Sequence, residues 1–306
     1  MRIFKILLVF CLVLALCACG ANASEAGKKL SIVCTNFPCY DFARAVAGDN
    51  AELRLLIKPG AEVHSYEPTP ADIMAIAECD LFIYIGGESD AWVEDILATF
   101  GSDAPESLRM FDCVEAIEGD HGHEHDHHDA AEYDEHIWTS PVNAVRMVEA
   151  LAAKLSEIDG AKAAAWQENA GAYCAEIEKI DAQFRDIVST AARTEMIFAD
   201  RFPFIYFARE YGLDYVSAFP SCAAESEPSA RTMMELIDRV AKDKVPAVYT
   251  IELSSGKTAQ TIAEETGAKI LSFHSIQNVS EADFSAGETY LTLMERNIEA
   301  LKEGLN

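Results

Sequence analysis

The chain has 306 residues and a formal net charge of −27 at pH 7, because 51 acidic residues outnumber 24 lysines and arginines. A field of this sign repels nucleic acid and anionic lipid and attracts cations, so nucleic acid is not expected as a partner. The length is enough for two compact lobes behind an export signal.

The N-terminus has the pattern of a bacterial export signal. Two basic residues precede an apolar run over residues 6–16, which is too short for a permanent membrane helix of about 20 residues. The run ends in a segment that resembles a lipobox, in which Cys19 follows the small Ala18. We predict a signal peptide over 1–18, a tether over 19–29 and a lipid anchor at Cys19 on the outer face of the cytoplasmic membrane. An ordinary cleaved signal peptide is the alternative.

Predicted strands and helices alternate through the first half of the remaining chain, which is α/β patterning. The predicted strands cover residues 30–34, 52–57, 81–85 and 108–113, and the predicted helices cover 37–47, 70–78 and 90–100. These elements define a first lobe over 30–158, which contains a histidine- and acid-rich loop over 118–135.

A long helix is predicted to connect this lobe to the next, within the segment 159–192. Apolar or small residues recur there at alternating steps of four and three, which places them along one side of a helix. They are Trp166, Ala170, Tyr173, Ile177, Ile180, Phe184 and Ile187. A dimeric coiled coil is the alternative, but the stripe covers only about three heptads and lacks consistently opposed flanking charges. We therefore expect a rigid connector in a monomer.

The second lobe, over 193–306, repeats the plan of the first. Its predicted strands cover 196–199, 215–218, 247–251 and 269–273, and its predicted helices cover 202–211, 230–241, 257–266 and 287–302. A short motif before a helix also recurs, because Glu-Pro-Thr at 67–69 and Glu-Pro-Ser at 227–229 each precede a predicted helix. The sequence therefore predicts two similar βα lobes joined by one long helix.

Five of the eight histidines fall in one acidic tract, at His121, His123, His125, His127 and His128. Residues 118–135 contain eight acidic residues and no lysine or arginine, and this composition is typical of disorder. Imidazoles among carboxylates would bind Zn²⁺ weakly and in several arrangements, as a secondary metal site. A solvated linker without metal is the alternative. No Cys-x-x-Cys pair follows residue 19, so cysteine zinc sites are not indicated.

Three isolated histidines occupy the positions where open α/β lobes bind ligands. His64 lies in a Pro/Gly-bounded loop after a strand, and His274 directly follows the last predicted strand. His136 precedes a helix for which Ser140 is the predicted N-cap, with Pro141 at the first position. Three histidines at such positions in two lobes favour one metal site that both lobes share.

The motifs at these positions resemble the zinc/manganese solute-binding proteins of ABC transporters. They are PGAEVHSYEPTP at 59–70, the acidic histidine loop, DEHIWTSP at 134–141 and TGAK at 266–269. The resemblance covers essentially the whole chain after the signal. It implies a metal held in the cleft between two lobes, limited hinge motion, and delivery to an ABC permease and its ATPase. The charged histidine loop suggests the zinc branch.

The resemblance implies His64 and His136 as the first two metal ligands. At the usual third position this chain has Ala199, and Asp200 is the nearest group able to coordinate, unless it caps a helix or pairs with Arg201.

The family's last ligand is usually a carboxylate, where this chain has His274, with Glu225 and Glu252 in reserve. A set of three imidazoles and a carboxylate favours Zn²⁺ over Mn²⁺ as the transported ligand.

Two other functions compete with capture and delivery. A metal-dependent hydrolase is disfavoured, because neither an H-E-x-x-H motif nor a G-x-S-x-G elbow occurs, so we do not expect an enzyme. A surface adhesin or metal buffer with the same fold stays open.

Overall fold

The structure is a computed structural model that describes residues 29–118, 133–219 and 228–306. The signal peptide, Cys19, the five loop histidines and Glu225 lie outside these ranges.

The described strands are β1 (Leu30–Cys34), β2 (Ala51–Leu55), β3 (Leu81–Tyr84), β4 (Glu106–Arg109), β5 (Glu195–Phe198), β6 (Asp214–Ser217), β7 (Ala247–Thr250) and β8 (Lys269–Ser272). The helices are α1 (Phe37–Ala47), α2 (Pro70–Glu78), α3 (Ala91–Phe100), α4 (Pro141–Ile158), α5 (Ala163–Thr190), α6 (Ile205–Tyr211), α7 (Ala230–Asp243), α8 (Lys257–Thr266), α9 (Glu281–Ala286) and α10 (Tyr290–Gly304).

The strands form two four-stranded parallel sheets of identical topology, β2-β1-β3-β4 and β6-β5-β7-β8. Within each lobe a helix connects every pair of successive strands, as parallel pairing requires. The predicted fold class is therefore confirmed. Because all strands of a lobe run the same way, their carboxyl ends, and the loops that follow them, share one edge of each sheet.

One continuous apolar core runs from the inner face of the first sheet through α4 and α5 to the second sheet. The outer faces are covered separately, by α2 and α3 in the first lobe and by α7 and α8 in the second. The shared core joins the two lobes firmly, whereas each outer layer belongs to its own lobe.

The connecting helix α5 is 28 residues long, or roughly 42 Å at 1.5 Å per residue. The side that it buries matches the stripe in the sequence, with Trp166, Ala170, Ile177, Ile180 and Phe184 all buried. The predicted long helix is confirmed, and its apolar side packs within the core.

Two elements differ from the sequence-based expectation. The last strand of the first lobe ends at Arg109, and Met110–Cys113 form a 3-10 turn, because Met110 turns fully into the core. The short helix α9 was not predicted; Ser280 caps it by accepting a hydrogen bond from the backbone of Asp283. Where polar and apolar residues are mixed without a regular period, the sequence does not distinguish a turn from the end of a strand.

None of the helices that the structure describes has both the length and the apolar character needed to cross a membrane.

A buried carboxylate ties three helices together. Asp41 of α1 is 1% exposed, and its Oδ2 accepts hydrogen bonds from Tyr173 Oη on α5 at 2.7 Å and from the backbone N–H of Tyr290 on α10 at 2.8 Å. Arg44 pairs with the same carboxylate. This contact attaches the first lobe to the connecting helix and to the C-terminal helix.

Candidate metal centre

Two imidazoles and one carboxylate meet at the carboxyl edge of the first sheet. His64 lies in the loop between β2 and α2, while Glu135 and His136 precede the 3-10 turn that leads into α4. One ligand atom from each of these side chains lies within 4.8 Å of the other two. Elsewhere in the described ranges, histidine, cysteine and acidic side chains form no further group of three at this spacing.

His136 is held in one orientation by Asp134. The His136 side chain is fully buried, and Asp134 Oδ1 accepts hydrogen bonds from its backbone N–H at 2.9 Å and from its Nδ1 at 3.0 Å. A carboxylate only accepts, so the ring carries its proton on Nδ1 and presents the lone pair of Nε2. That Nε2 is buried without a hydrogen-bond partner, as expected of a metal ligand.

His64 is oriented through a hydroxyl. Its Nδ1 lies 2.9 Å from Ser89 Oγ, and that hydroxyl donates its proton to Glu135 Oε1. Ser89 Oγ therefore accepts from Nδ1–H, and His64 also presents the lone pair of Nε2. The centroids of the His64 and His136 rings are 5.9 Å apart. Two nitrogens bound tetrahedrally to one zinc ion are about 3.4 Å apart, and the ligand atoms of this group already lie within 4.8 Å of one another.

Glu135 is fixed by the loop after β3. The side chain is only 3% exposed, and its Oε2 accepts a hydrogen bond from the backbone N–H of Ser89 at 2.8 Å. Gly87 passes so close that a Cβ there would lie 2.2 Å from Glu135 Cβ. Glycine therefore leaves the room that this carboxylate needs. Each carboxylate oxygen has two lone pairs, so Glu135 can still bind a cation.

The two imidazoles differ in their affinity for protons. Burial and the nearby His136 lower the pKa of His64, against the opposing effect of Glu135 and Glu62. Burial also disfavours the charged form of His136, but the Asp134 carboxylate outweighs it and raises the pKa of His136 above its usual value. A metal binds the neutral ring, so protons compete first at His136 and binding weakens as the pH falls.

Replacing Ser89 by alanine is expected to weaken zinc binding roughly 10- to 100-fold, because the hydroxyl orients His64 and Glu135 together. Isothermal titration with a competing chelator measures the change. Ser65→Ala, at an exposed position beside His64, is the matched control and should bind zinc as the wild type does. Equal affinities of the Ser89 and Ser65 variants would contradict the orienting role.

A buried acid lies directly behind Ser89. Asp90 Oδ2 accepts hydrogen bonds from the backbone N–H groups of Ile85 at 2.7 Å and Gly86 at 3.1 Å. Burial raises the pKa of Asp90 to about 7, and the charge of Glu135 adds to that effect, which the hydrogen bonds offset only in part. Since the folded-state pKa exceeds the unfolded value, ionisation of Asp90 destabilises the fold as the pH rises toward 7.

Asp90→Asn should therefore stabilise the metal-free protein, by an amount that grows from about pH 4 to pH 7 and is constant above. We expect a gain on the order of 1–3 kcal/mol at pH 8. Chemical denaturation in the presence of chelator, repeated at each pH, measures it. Asp95→Asn, at an exposed site on α3, is the matched control for the substitution itself. A pH-independent effect of Asp90→Asn would contradict the assignment.

Asp200 lies on the opposite lobe, after β5, and is 8% exposed. Its Oδ1 accepts a hydrogen bond from the backbone N–H of Arg201 at 2.9 Å, whereas its Oδ2 is buried without a partner. Asp200 lines a cavity of about 190 Å³ together with Glu62 and Val63 of the His64 loop and with Glu252. A carboxylate of the second lobe with one unpartnered oxygen thus shares a cavity with the loop that carries His64.

His274 follows β8 and is not part of the group of three. Its Nδ1 accepts a hydrogen bond from the backbone N–H of Ile276 at 2.9 Å and lies 3.5 Å from Glu252 Oε2. Ile276 has a φ of 65°, which is strained for a β-branched residue. The structure therefore places His274 beside Glu252 in a strained loop. Ala199 is buried and offers no side-chain ligand.

The segment 275–279 of the second lobe reaches across to the ligands of the first. Trp138 Nε1 donates to the backbone carbonyl of Ser275 at 2.7 Å, and Gln277 Nε2 donates to Glu135 Oε1 at 3.4 Å. Movement of this segment is therefore transmitted directly to Glu135 and to the turn that follows His136.

Two residues of this centre were not predicted as site residues, namely Glu135 and Ser89. Glu135 was visible only as part of the DEHIW motif, and its contact with Ser89 spans 46 positions. The available signal for Ser89 was its place after a buried strand and a Gly-Gly pair. Such loops form ligand sites in open α/β sheets.

Two parallel-sheet lobes of equal topology, with imidazoles and carboxylates on the loops at their carboxyl edges, define the architecture of a two-lobed solute-binding protein with a candidate metal centre. The profile of the family described as "ZnuA: Zinc-uptake complex component A periplasmic" matches residues 32–304. The chain belongs to this family, which confirms the resemblance stated above.

Individual relatives agree with this assignment. The chain is 34% identical over 310 residues to the zinc-binding lipoprotein AdcA of Streptococcus pneumoniae R6, covering 99% of this chain and 61% of that protein. It is 31% identical over 303 residues to the high-affinity zinc uptake system protein ZnuA of Bacillus subtilis 168, covering 95% and 94%. The crystal structure of the Zn(II)-bound ZnuA-like domain of S. pneumoniae AdcA superposes with a TM-score of 0.78 at 31% identity, covering 91% of this chain and 99% of that domain. The chain thus spans about three fifths of AdcA.

Proposed function

We propose that this protein is an exported receptor that captures Zn²⁺ between its lobes and delivers it to an ABC permease and its ATPase. The observation that carries the proposal is the group of half-buried His64 with buried Glu135 and His136, whose ligand atoms lie within 4.8 Å of one another. Both imidazoles present Nε2, and borderline nitrogen ligands favour Zn²⁺ over Mn²⁺. Relatives named as zinc-binding and zinc-uptake proteins support the same metal.

In this proposal the first lobe supplies two imidazoles and the second lobe completes the site. Asp200 is the favoured fourth ligand, because one of its oxygens is buried and unpartnered beside the His64 loop. His274 remains a predicted ligand, with Glu252 in contact with it. Glu135 is added as a carboxylate that either binds the ion or orients His64. A site closed by protein ligands leaves no open position for a reactive water, as capture requires.

The histidine-rich loop is proposed to collect metal for this site. The two ends of the loop meet at Asp134, the residue that orients His136. There the backbone N–H of Asp134 donates to the carbonyl of Ile117 at 3.0 Å. The hydroxyl of Tyr206 donates to the carbonyl of Asp134 at 2.9 Å and so attaches this junction to the second lobe. Both flanks of the loop therefore lie beside Asp134, which orients His136.

Metal titration with elemental analysis tests both sites at once. The wild type should bind one tight zinc equivalent and further weak ones, whereas deletion of residues 120–129 should remove only the weak ones. Asp200→Ala and His274→Ala, titrated alongside, identify the ligands of the second lobe by loss of tight binding. Loss of the tight equivalent on deletion of the loop would contradict the proposed division of roles.

Export with a lipid anchor at Cys19 and action as a monomer complete the proposal. A relative described as a zinc-binding lipoprotein supports this location. An anchor would keep the receptor at the membrane that holds its permease.

A further inference from the structure

Each lobe holds one of its predicted histidine ligands beside a glutamate that binds a serine through two hydrogen bonds. In the first lobe Glu135 accepts from the backbone N–H and from the hydroxyl of Ser89. In the second lobe Glu252 accepts from the backbone N–H of Ser275 at 2.7 Å and from its hydroxyl. In both lobes Nδ1 of the predicted histidine ligand lies 3.5 Å from that carboxylate. The surroundings of the two carboxylates are therefore alike.

The two histidines differ in the hydrogen bond that Nδ1 makes. Nδ1 of His64 donates to the hydroxyl oxygen of Ser89 at 2.9 Å. Nδ1 of His274 instead accepts from the backbone N–H of Ile276 at 2.9 Å. A backbone N–H only donates, so this Nδ1 carries no proton, and the neutral ring carries its proton on Nε2. His274 is therefore held in the tautomer opposite to that of His64 and His136.

The tautomer of His274 does not suit a metal ligand. Its Nε2 presents a proton, and the lone pair of its Nδ1 is used by the N–H of Ile276. A histidine that binds a metal through one nitrogen usually donates the N–H of the other to a carboxylate, a carbonyl or water. Oε2 of Glu252, at 3.5 Å from Nδ1, is placed to accept that N–H. Binding of zinc by His274 therefore requires Nδ1 to exchange one partner for the other.

The surrounding contacts confine this exchange to a small region. The backbone N–H of His274 donates to Oδ1 of Asn297 on α10 at 2.6 Å, and Nδ2 of Asn297 donates to the carbonyl of His274 at 2.8 Å. Asn297 is buried, so it fixes the backbone of His274 on both sides. Ile276, by contrast, has the strained φ of 65°. The ring of His274 and the backbone at Ile276 are therefore the parts that can change.

The exchange would take place at the cleft. The carbonyl of Ser275, next to His274, accepts from Nε1 of Trp138 at 2.7 Å. The ring of Trp138 in turn lies 5.4 Å from the ring of His136, measured between centroids. Glu252 itself lines the cavity that contains Asp200. A change at His274 thus occurs beside the ligands of the first lobe.

We propose that Glu252 is the positioning residue of His274, whose ring changes tautomer when zinc binds. In the metal-free protein the N–H of Ile276 holds the ring with its proton on Nε2. On capture the ring turns toward Glu252 and loses the Nε2 proton to water. Nδ1 takes a proton from water and donates it in a hydrogen bond to Glu252, and the lone pair of Nε2 binds the ion. One proton leaves and one enters, so the ring stays neutral. The proposal rests on the proposed function, under which His274 is a ligand.

Magnetic resonance of the histidine rings tests the proposal. The exported chain carrying Cys19→Ser is labelled with nitrogen isotope in histidine, and two-bond proton–nitrogen correlation spectra distinguish a ring protonated at Nδ1 from one protonated at Nε2. At alkaline pH with a chelator, His64 and His136 should be protonated at Nδ1 and His274 at Nε2. With one equivalent of zinc all three should be protonated at Nδ1. His274→Asn identifies the signals of that ring.

Glu252→Gln removes the charge with little change in shape and should weaken zinc binding about 10- to 100-fold. In the metal-free variant His274 should still be protonated at Nε2, because the N–H of Ile276 sets that tautomer. Glu265→Gln, at an exposed position on α8, is the matched control and should bind zinc as the parent does. Unchanged spectra of the first-lobe histidines report that the fold of each variant is intact.

A double-mutant cycle separates positioning from direct binding. If Glu252 acts through His274, Glu252→Gln should have no further effect on zinc affinity in a His274→Ala background. An equal loss in both backgrounds would make Glu252 itself a ligand and would overturn the positioning role.

Two spectra would also overturn the proposal. They are a His274 ring protonated at Nδ1 in the metal-free protein, and one that keeps its Nε2 proton after zinc is bound. In the second case zinc would still shift the signals of His64 and His136, so capture would stand without His274. If the parent binds no tight equivalent and no ring signal shifts, capture fails together with this proposal.

Discussion

Replacing His136 by alanine is expected to abolish tight zinc binding, with a loss of roughly 100- to 1,000-fold in affinity, because the ion loses one of about four ligands. The effect should exceed that of Ser89→Ala, since His136 is a proposed ligand and Ser89 only orients one. His136 is fully buried, and its Nε2 has no hydrogen-bond partner among the described residues. Its removal therefore leaves the ion without a ligand on that side. Competition titration with a chelator of known affinity measures the loss.

Two companion variants make this result specific. His64→Ala should lose affinity to a similar degree, because both rings present Nε2 to the same space. His121→Ala, within the histidine-rich loop, should leave the tight equivalent unchanged. Thermal unfolding of the metal-free variants must stay close to that of the wild type. Tight binding that persists in His136→Ala would remove the proposed centre.

Replacing Asp41 by alanine should lower the free energy of unfolding by about 3 kcal/mol, because the hydroxyl of Tyr173 and the backbone N–H of Tyr290 lose their buried acceptor. For a chain of this size the melting temperature should fall by roughly 6–12 °C. Differential scanning calorimetry of the metal-free protein measures the shift.

Tyr173→Phe removes one partner of the same carboxylate and should cost about 1 kcal/mol. Asp49→Ala, at an exposed position at the end of α1, should leave the melting temperature within about 2 °C. A loss at Asp49 as large as that at Asp41 would show that the buried contact is not the cause.

Much of the fold was predictable from local patterns. Short apolar runs bounded by glycine, proline or cap residues placed strands and helices in both lobes, and the stripe from Trp166 to Phe184 predicted the buried side of α5. The cap at Ser140 was also predicted, and its side chain accepts a hydrogen bond from the backbone of Asn143. These features depend only on residues a few positions apart in the chain, so the sequence alone is enough to predict them.

The metal centre was predictable only in part. His64 and His136 were recognisable because histidine is scarce and both follow motifs of the family. The role of Glu135 depends on contacts with Ser89 and Gln277, which are distant in sequence. That Asp200 and His274 complete the site stays a prediction, because their contact with the ion depends on how the lobes close.

By itself the sequence determined the class of this protein, namely two α/β lobes joined by a long connecting helix in a strongly acidic, histidine-bearing chain. Periodicity, composition and short motifs are local quantities, and they suffice for such conclusions. Only the tertiary structure decided which side chains meet. It paired His64 with Ser89 and Glu135, left Nε2 of His136 unpartnered, and placed His274 against Glu252. Those contacts join separate loops, and their geometry follows from the packing of the whole chain.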